Sequence, residues 1–421
     1  MAPSIVIVGG GFAGTTLARE LQRTLPLTLI SEESYTTFNP MLPEAVGSAI
    51  FPEHAVAPIR AMLAPTTRFV MGKVARVDLN QKTLECDTLA GPRTLPYDHL
   101  VLAFGSRARL DLVPGMAQHA LPLKTIGDAL HIRNVVLRRA ARIELEAAPI
   151  VRRRLGRFIV VGGGFSGVEV AGSLADCLAS IKRYYPRILP GELGITLLQD
   201  IDRLLPELPA RLGISALKSL RARGVEVVLR ARASEVSDQG VRLSDGSFAS
   251  GSTVICTIGT RPNALVESLD VPKERGRIAV APDLSVPGHE GLWALGDCAL
   301  VPNNVGFAPP TAQFAVQEAK QLAVNIVSRI SSRKTVPFNY RSRGMMASVG
   351  HLKGVAEVLG VPLSGLAAWL VWRAYYLSRM PTLGRKLRIF VEWTWGMFFP
   401  TDVTHLRFTR SSEQDSSGRS G

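Results

Sequence analysis

Two short glycine-rich segments carry the residues with the most specific chemical use in this chain. Residues 5–14 read IVIVGGGFAG, and residues 158–167 read FIVVGGGFSG. Their spacing permits a tight turn, lets the backbone approach a pyrophosphate, and leaves the N-terminus of a following helix facing the phosphates. The glycines that provide this spacing are Gly9, Gly11 and Gly14 in the first segment and Gly162, Gly164 and Gly167 in the second.

Each glycine segment needs a strand before it and a helix after it. Each follows an apolar, β-branched run and precedes an alanine-rich stretch, TTLARELQR in the first copy and VEVAGSLAD in the second. A single Gly-x-Gly-x-x-Gly also occurs in purely structural turns, but two copies in the same context predict two bound dinucleotides. Two dinucleotides on one chain indicate electron transfer between them.

Length and composition are typical of a multidomain α/β protein. A chain of 421 residues with 46% hydrophobic residues is expected to form two or three domains with substantial cores. Strand and helix patterns alternate, which predicts α/β layering in two Rossmann-like domains, the second inserted in the first. Because the first glycine segment begins at residue 9, we expect no signal or transit peptide and a reducing compartment.

The cysteine spacing and the net charge bear on which metal sites, redox groups and partners are expected. Four cysteines lie scattered without paired spacing, which argues against a zinc module or a redox dithiol, and we expect no metal. The net charge is +14, concentrated in residues 133–157 and near the C-terminus. Since no RNA- or DNA-binding motif accompanies this charge, we expect no nucleic-acid partner. The cysteines are Cys86, Cys177, Cys256 and Cys298.

Two carboxylates are placed to bind sugar hydroxyls. LTLISEE predicts a second strand, and Glu32 at its end is suited to the ribose of an adenosine, with an exposed loop acid as the alternative. GLWALGDCA predicts a strand that delivers Asp297 to its C-terminal end, where it is suited to a ribityl hydroxyl. Between them, residues 67–79 and 83–89 predict a β-meander, and residues 97–105 predict a strand ending in glycine.

Together these segments resemble the two-dinucleotide-binding flavoprotein superfamily, and within it the type II, non-proton-pumping NADH:quinone oxidoreductases. The resemblance extends over about residues 4–408. Besides the glycine segments it rests on SYTTFNPMLPEAVGS, YDHLVLAFGS, GVEVAG, GDCA, PPTAQFAVQEA and MMASVGHLKGVAEVLGVPLSGLAAWLVW, in that order.

The resemblance implies FAD at the first glycine segment and NADH or NADPH, as substrate, at the second. Asn39 and Pro40 match the loop that lines the flavin ring, and Asp297 matches the flavin-binding aspartate. Val74 lies in the strand whose backbone meets the adenine. Further residues assigned to cofactor binding are Gly105, Ala312 and Gly259.

The resemblance also names three catalytic residues. Glu169, just after the second glycine segment, would lie near the flavin and steer the nicotinamide and proton movements; a first-turn helix acid is the alternative. Gln313 and Gln317 match an Ala-Gln-x-x-x-Gln pattern on the quinone side, and four-residue spacing puts them on one helix face. An amide can bind a quinone carbonyl without adding charge, whereas two surface glutamines are the alternative. Pro309-Pro310-Thr311 predicts the start of that helix.

One departure from the family pattern concerns the second nucleotide. The strand segment GITLLQD carries Gln199 where relatives that prefer NADH carry glutamate. A neutral side chain does not repel a 2′-phosphate, and Arg203 could approach one, although Asp200 and Asp202 oppose this. We therefore hypothesise that NADPH is tolerated or used.

Residues 358–391 contain no acids, five basic residues and four Trp or Tyr residues. Proline and arginine interrupt the apolar run too often for a spanning helix, so a helix lying in the headgroup plane of an anionic membrane is expected. An amphipathic helix packed on the flavin domain or on a dimer partner is the alternative, and both readings are compatible.

These observations predict six segments and one reaction. The protein is expected to reduce a membrane quinone with NAD(P)H through FAD, without proton pumping, as a peripheral protein on the cytoplasmic face of a bacterial membrane, with a second copy as a candidate partner. The rivals are a sulfide:quinone oxidoreductase, which needs cysteines near the flavin, and a redox-responsive FAD/NAD-binding interaction protein. The predicted segments are 1–120 (FAD-binding domain, first part), 121–154 (basic helical connector), 155–265 (inserted NAD(P)H-binding domain), 266–335 (FAD-binding domain, second part), 336–408 (membrane-associating region) and 409–421 (disordered tail).

Overall fold

The computed structural model describes residues 3–304 and 306–406, so the predicted tail lies outside the described residues. Between residues 3 and 156 the described chain forms ten strands and five α-helices. The strands are β1 (Ile5–Val8), β2 (Leu27–Ser31), β3 (Tyr35–Thr37), β4 (Val56–Pro58), β5 (Arg68–Asp78), β6 (Thr83–Thr88), β7 (Gly91–Pro96), β8 (His99–Leu102), β9 (Ser106–Ala108) and β10 (Ala120–Pro122). The helices are α1 (Phe12–Leu21), α2 (Leu42–Val46), α3 (Met116–His119), α4 (Ile126–Leu145) and α5 (Pro149–Leu155).

The described residues beyond 156 form the other elements. The strands are β11 (Arg157–Val161), β12 (Gly194–Leu198), β13 (Val225–Val228), β14 (Ala233–Ser237), β15 (Gly240–Leu243), β16 (Phe248–Ser250), β17 (Thr253–Cys256), β18 (Thr260–Pro262), β19 (Lys273–Glu274), β20 (Arg277–Ala279), β21 (Leu292–Ala294), β22 (Ala299–Leu300), β23 (Gly344–Ser348), β24 (Gly354–Val358) and β25 (Val361–Gly365). The helices are α6 (Phe165–Tyr184), α7 (Ala210–Ala222), α8 (Ala264–Ser268), α9 (Ala312–Ile330), α10 (Leu366–Arg379) and α11 (Leu383–Trp395).

The first glycine segment connects β1, an interior strand of a seven-stranded sheet, to a helix. The strand order is β21-β8-β1-β2-β5-β6-β7, in which β1 runs parallel to β2 and β8. The antiparallel strands β5, β6 and β7 form the predicted meander. Strand β21 runs parallel to β8, so the chain returns to this sheet after the second glycine segment. All four residues of β1 are buried, which explains its unbroken apolar sequence.

The second glycine segment follows the central strand of a five-stranded parallel sheet ordered β10-β17-β11-β12-β13. Its edge strand β10 lies at the start of the predicted connector, so the sheet includes residues that the predicted range 155–265 leaves out. The two-sheet α/β fold expected from the repeated glycine pattern is confirmed. The connector itself consists of α4 and α5, and Thr125 and Asp128 form a capping box at the start of α4.

The C-terminal region packs closely on the second domain. Strands β23, β24 and β25 form an antiparallel sheet, followed by α10 and α11. A Cβ on Gly172 of α6 would lie 2.5 Å from the backbone carbonyl carbon of Val349, so only glycine permits this approach. Within the described part of the chain, no helix has the length and apolar character needed to cross a membrane.

Candidate functional site

The two glycine turns have nearly the same backbone geometry. Gly9 has a φ of +120° and Gly162 a φ of +110°, a conformation that L side chains rarely adopt. A Cβ on Gly14 would lie 1.9 Å from the Gly9 carbonyl oxygen, which explains why the helix can pack so closely against the turn. The corresponding distance between Gly167 and the Gly162 carbonyl oxygen is 1.7 Å.

The middle glycine of each turn faces open space. A Cβ on Gly11 or Gly164 would meet no protein atom within 4 Å. These residues are the N-caps of α1 and α6, which have no side-chain cap and no acid in their first turns. The exposed backbone N–H groups of both helix ends therefore favour an anion, which fits the pyrophosphate of a dinucleotide in each turn.

Asp297 lies near the first turn, as the sequence predicts. It follows β21, whose C-terminal end shares an edge of the sheet with β1 because β21, β8 and β1 are parallel. Ser106 Oγ donates to Asp297 Oδ2 at 2.6 Å, and Lys124 Nζ lies 3.6 Å from the same oxygen. The neighbouring Gly296 N–H donates to Glu318 Oε2 of α9 at 2.7 Å.

The other residues assigned to FAD occupy several elements around this edge. Asn39 and Pro40 form a short 3-10 helix before α2, and Glu32 is exposed directly after β2. Val74 is buried in β5. Gly105 follows β8 with a φ of +66°, and a Cβ there would meet no protein atom within 4 Å.

Glu169 is buried and lies in the second turn of α6 rather than in its first. Its Oε1 accepts hydrogen bonds from Ser348 N at 3.0 Å and from Trp372 Nε1 at 3.1 Å. Burial raises the pKa of this carboxyl from its ordinary 4.5 to about 8, although both hydrogen bonds oppose the rise. Glu169 is therefore mostly protonated at neutral pH.

A row of aromatic rings connects Glu169 with the first glycine turn. Phe12, directly after Gly11, lies 5.6 Å from Phe38 between ring centroids. The ring of Phe38 lies 5.9 Å from that of Tyr376, which in turn lies 4.8 Å from Trp372. Since Trp372 donates to Glu169, residues of α10 join the surroundings of both turns.

A second buried carboxyl lies in the same region and was not predicted from the sequence. Trp393 Nε1 of α11 donates to Glu44 Oε2 at 2.6 Å, and burial raises the pKa of Glu44. The guanidinium of Arg373 lies 3.7 Å from the Trp369 ring centroid and 4.9 Å from that of Trp393. Burial lowers the pKa of Arg373 to about 10. Glu44 belongs to the segment SYTTFNPMLPEAVGS, and the resemblance of that segment to the family is the one signal in the sequence that points to this residue.

The two glutamines lie near the start of α9, where the sequence predicts them. Thr311 caps the helix, and Ala312 is its first residue. Gln313 donates to Tyr340 Oη at 3.1 Å and accepts from Ser342 Oγ at 3.1 Å. Gln317, one turn later, is half-buried. Gln313 is therefore held by the segment that leads into the C-terminal sheet.

Comparison with known proteins places this architecture in a family. Residues 3–319 match the family model for pyridine nucleotide-disulphide oxidoreductases. A type II NADH:quinone oxidoreductase of Mycobacterium tuberculosis is 30% identical over 407 residues, with 93% of this chain and 87% of that protein covered. The chain belongs to the type II NADH:quinone oxidoreductase family. A demethylphylloquinone reductase of Synechocystis is also 30% identical, with 93% of this chain and 95% of that protein covered.

Solved structures of the family and of its relatives share the fold. NDH2 from Plasmodium falciparum, in complex with NADH, matches with a TM-score of 0.90 at 19% identity, over 96% of this chain and all of that one. The sulfide:quinone oxidoreductase of Aquifex aeolicus matches with a TM-score of 0.69 at 18% identity, over 97% of this chain. As a member of the type II family, this chain is an oxidoreductase.

In the second domain of this type II enzyme, Gln199, the residue that differs from the family pattern, makes hydrogen bonds with two backbone groups. Gln199 is buried after β12, where its Oε1 accepts from Gly163 N at 2.8 Å and its Nε2 donates to Arg203 O at 3.2 Å. The Arg203 guanidinium donates to Pro206 O at 2.7 Å, away from the Gln199 amide. Gly259 follows β17 with a φ of +71°, and a Cβ there would lie 2.2 Å from Leu112 Cδ1.

The cysteines of this type II enzyme are unsuited to sulfur chemistry. All four are free and buried. Cys298, next to Asp297, is the cysteine nearest in sequence to a predicted flavin ligand, and burial raises its pKa to about 12. A thiol with that pKa holds very little thiolate at neutral pH.

Proposed function

We propose that this protein is an FAD-dependent NAD(P)H:quinone oxidoreductase that transfers electrons without proton pumping. The observation that carries the proposal is the pair of open glycine turns joined through the aromatic row and Glu169. Because the row links the surroundings of the two turns, dinucleotides held in them would have their reactive ends in one region. The family membership gives the reaction class, and the named relatives are an NADH:quinone oxidoreductase and a demethylphylloquinone reductase.

The turns fit the two cofactors by shape and charge. Gly11 and Gly164 leave a cradle that a side chain would fill, and each is backed by an uncapped helix N-terminus. The chemistry that bound FAD would supply is acceptance of a hydride from the reduced nicotinamide and transfer of two electrons to the quinone. In the first domain, Asp297, Ser106 and Lys124 would bind the ribityl chain, and Glu32 the adenosine ribose.

Glu169 would hold a proton close to the reaction. Both of its hydrogen bonds fall on Oε1, so among the described residues Oε2 is the oxygen left to carry a proton. A carboxyl with a pKa of about 8 both keeps and releases a proton near neutral pH, as a proton-transfer group must. Gln313 and Gln317 would bind the quinone carbonyls from α9.

The C-terminal helices are proposed to bring the enzyme to the lipid that holds its acceptor. On α11, Ile389 and Trp393 are buried, whereas Leu387, Phe390 and Trp395 on the opposite side are more than half exposed. Such a helix has one apolar face packed on the protein and another free for the membrane interface. We propose a peripheral attachment to the cytoplasmic membrane face.

The test begins with oxidation of NADH and of NADPH by the purified protein, with and without a soluble short-chain quinone. We expect oxidation that depends on the quinone. Gly11→Ala is expected to lose the bound yellow cofactor, whereas Gly164→Ala keeps it and raises the KM for the nucleotide at least tenfold. Gly384→Ala is the control, because a Cβ there also meets no protein atom within 4 Å.

Absence of quinone-dependent turnover in a protein that carries FAD would overturn the proposal. It would favour the redox-responsive interaction protein instead. Quinone reduction driven by sulfide would instead favour a sulfide:quinone oxidoreductase. The burial of all four cysteines argues against that alternative.

A further inference from the structure

The basic connector is the one feature of the sequence that the proposed reaction does not explain. In the fold, α4 and α5 form a hairpin beside the last residues of α6 and the segment that follows them. We call residues 138–154 and 182–192 together the basic hairpin surface. It contains nine arginines and lysines against three glutamates.

The three glutamates of the basic hairpin surface are already engaged. Glu192 binds Arg152 through two hydrogen bonds, of 2.6 and 2.9 Å. Glu144 accepts from Arg187 N at 3.1 Å, and Glu146 accepts from Ala148 N at 3.1 Å. The basic side chains that remain exposed are Arg138, Arg142, Arg153, Lys182, Arg183 and Arg187.

Arg152 joins the two halves of this surface into one unit. Besides Glu192, its guanidinium donates to the Ile143 and Glu146 carbonyls in the hairpin and to the Arg187 carbonyl in the facing segment. These hydrogen bonds fix the backbone that carries the exposed basic groups. A ligand that binds those groups therefore does not have to order the backbone.

Large apolar side chains project from the same surface. Leu145 and Ile150, at the turn between α4 and α5, are each 83% exposed, and Leu189 and Tyr184 in the facing segment are more than half exposed. Isolated exposed leucines are ordinary, but four such side chains among six exposed cations form a patch. Nucleic acid would use the cations and leave the aliphatic groups without a partner.

We propose that the basic hairpin surface docks on an anionic lipid bilayer, with Leu145 and Ile150 entering the interface and the arginines binding headgroup phosphates. Arginine suits this role because its guanidinium binds phosphate through two N–H groups. Juxtaposed cations and apolar side chains are the combination that anionic leaflets attract.

The surface continues toward the C-terminal helices. Thr401 N, shortly after α11, donates to Ser180 Oγ of α6 at 3.2 Å, and Tyr184 lies one helical turn beyond Ser180. Phe398, just before that contact, is 76% exposed. The basic hairpin surface thus adds a second, charged contact to the apolar one proposed for α11, and it predicts preference for anionic over neutral lipid.

Insertion is tested with a fluorescent label on the full-length protein. Because the four native cysteines are buried, Ile150→Cys can be labelled selectively with an environment-sensitive fluorophore, and Leu89→Cys, at a site 89% exposed, is the control. Vesicles of phosphatidylcholine with 30% phosphatidylglycerol are expected to shift the emission to the blue at position 150 and not at position 89. An unshifted spectrum at position 150 would overturn the proposal.

Affinity is tested with two double variants by vesicle sedimentation. Leu145→Ser/Ile150→Ser and Arg142→Gln/Arg153→Gln are each expected to lower affinity for the phosphatidylglycerol vesicles at least fivefold, with less change on pure phosphatidylcholine. Leu89→Ser/Arg93→Gln is the matched control. Added salt should weaken binding of the native protein to the anionic vesicles.

The other occupants of this surface give different results. An effect of the arginine variant alone, together with salt-sensitive binding of duplex DNA, would identify a polyanion site and overturn the proposal. A lower sedimentation mass of either variant without vesicles would identify a contact between copies and also overturn it. Turnover with a soluble quinone, measured in parallel, keeps this test separate from that of the reaction.

Discussion

Glu169 combines deep burial with two hydrogen-bond donors, and burial has the larger effect on its pKa. The folded pKa of about 8 exceeds the ordinary 4.5, so the folded state binds a proton that the unfolded chain has lost. The free energy of unfolding should therefore fall as pH rises from about 4.5 to 8, by up to ~1.4 kcal/mol per pH unit from this group.

Glu169→Gln is expected to remove that part of the pH dependence. Urea unfolding at several pH values between 5 and 9 measures it. Glu318→Gln is the comparison. Because burial raises the pKa of Glu318 only to about 7, this carboxyl should lower the free energy of unfolding with rising pH only up to about pH 7. An unchanged slope above pH 7 in Glu169→Gln would contradict the burial argument.

In the proposed NAD(P)H site, Gln199 would determine the charge that the nucleotide meets beside the glycine turn. In the native protein we expect similar kcat/KM for NADH and NADPH. Gln199→Glu keeps the acceptor for Gly163 N but brings a negative charge toward the 2′-phosphate, so kcat/KM for NADPH should fall at least tenfold relative to NADH. A native preference for NADH above about a hundredfold, roughly 2.7 kcal/mol, would contradict the hypothesis.

Helix α6 is the element on which the nucleotide domain and the C-terminal region meet. Gly172→Ala puts a methyl group into the backbone of Val349, where neither side can yield freely. We expect a loss of about 1–3 kcal/mol in the free energy of unfolding. Gly127→Ala in α4 is the control, because its Cβ would be 3.6 Å from the nearest atom, and it should be neutral or slightly stabilising. Equal stability of the two variants would show that the close approach is not needed.

The elements that can be predicted from the sequence are those whose signals are local. The glycine turns, the meander and the start of α9 follow from neighbouring residues, because turn geometry and helix caps are decided within a few positions. The pair of Glu44 and Trp393 is separated by 349 residues, and no local pattern indicates it. The direction of the Gln199 amide was equally unpredictable, since it depends on Gly163 in another segment.

At the scale of the whole molecule, the C-terminal helices have one face in the core and one in solvent. Leu387→Ser/Phe390→Ser is expected to lower bilayer affinity at least tenfold, because each exposed side chain gains about 1.5–3 kcal/mol when fully buried. Turnover with a soluble quinone should not change. Val324→Ser, on the exposed side of α9, is the control for an apolar helix residue. Unchanged vesicle binding would remove α11 from the membrane contact.

The donors to Glu169 have a consequence for biosynthesis. The carboxyl belongs to a segment made in the first half of the chain, whereas Ser348 and Trp372 are among the later residues to leave the ribosome. The first sheet is completed only when β21 has been made, after the inserted domain, and the environment of the acid is assembled later still. A chain that stops before Ser348 therefore leaves the Glu169 carboxyl without either of its two donors.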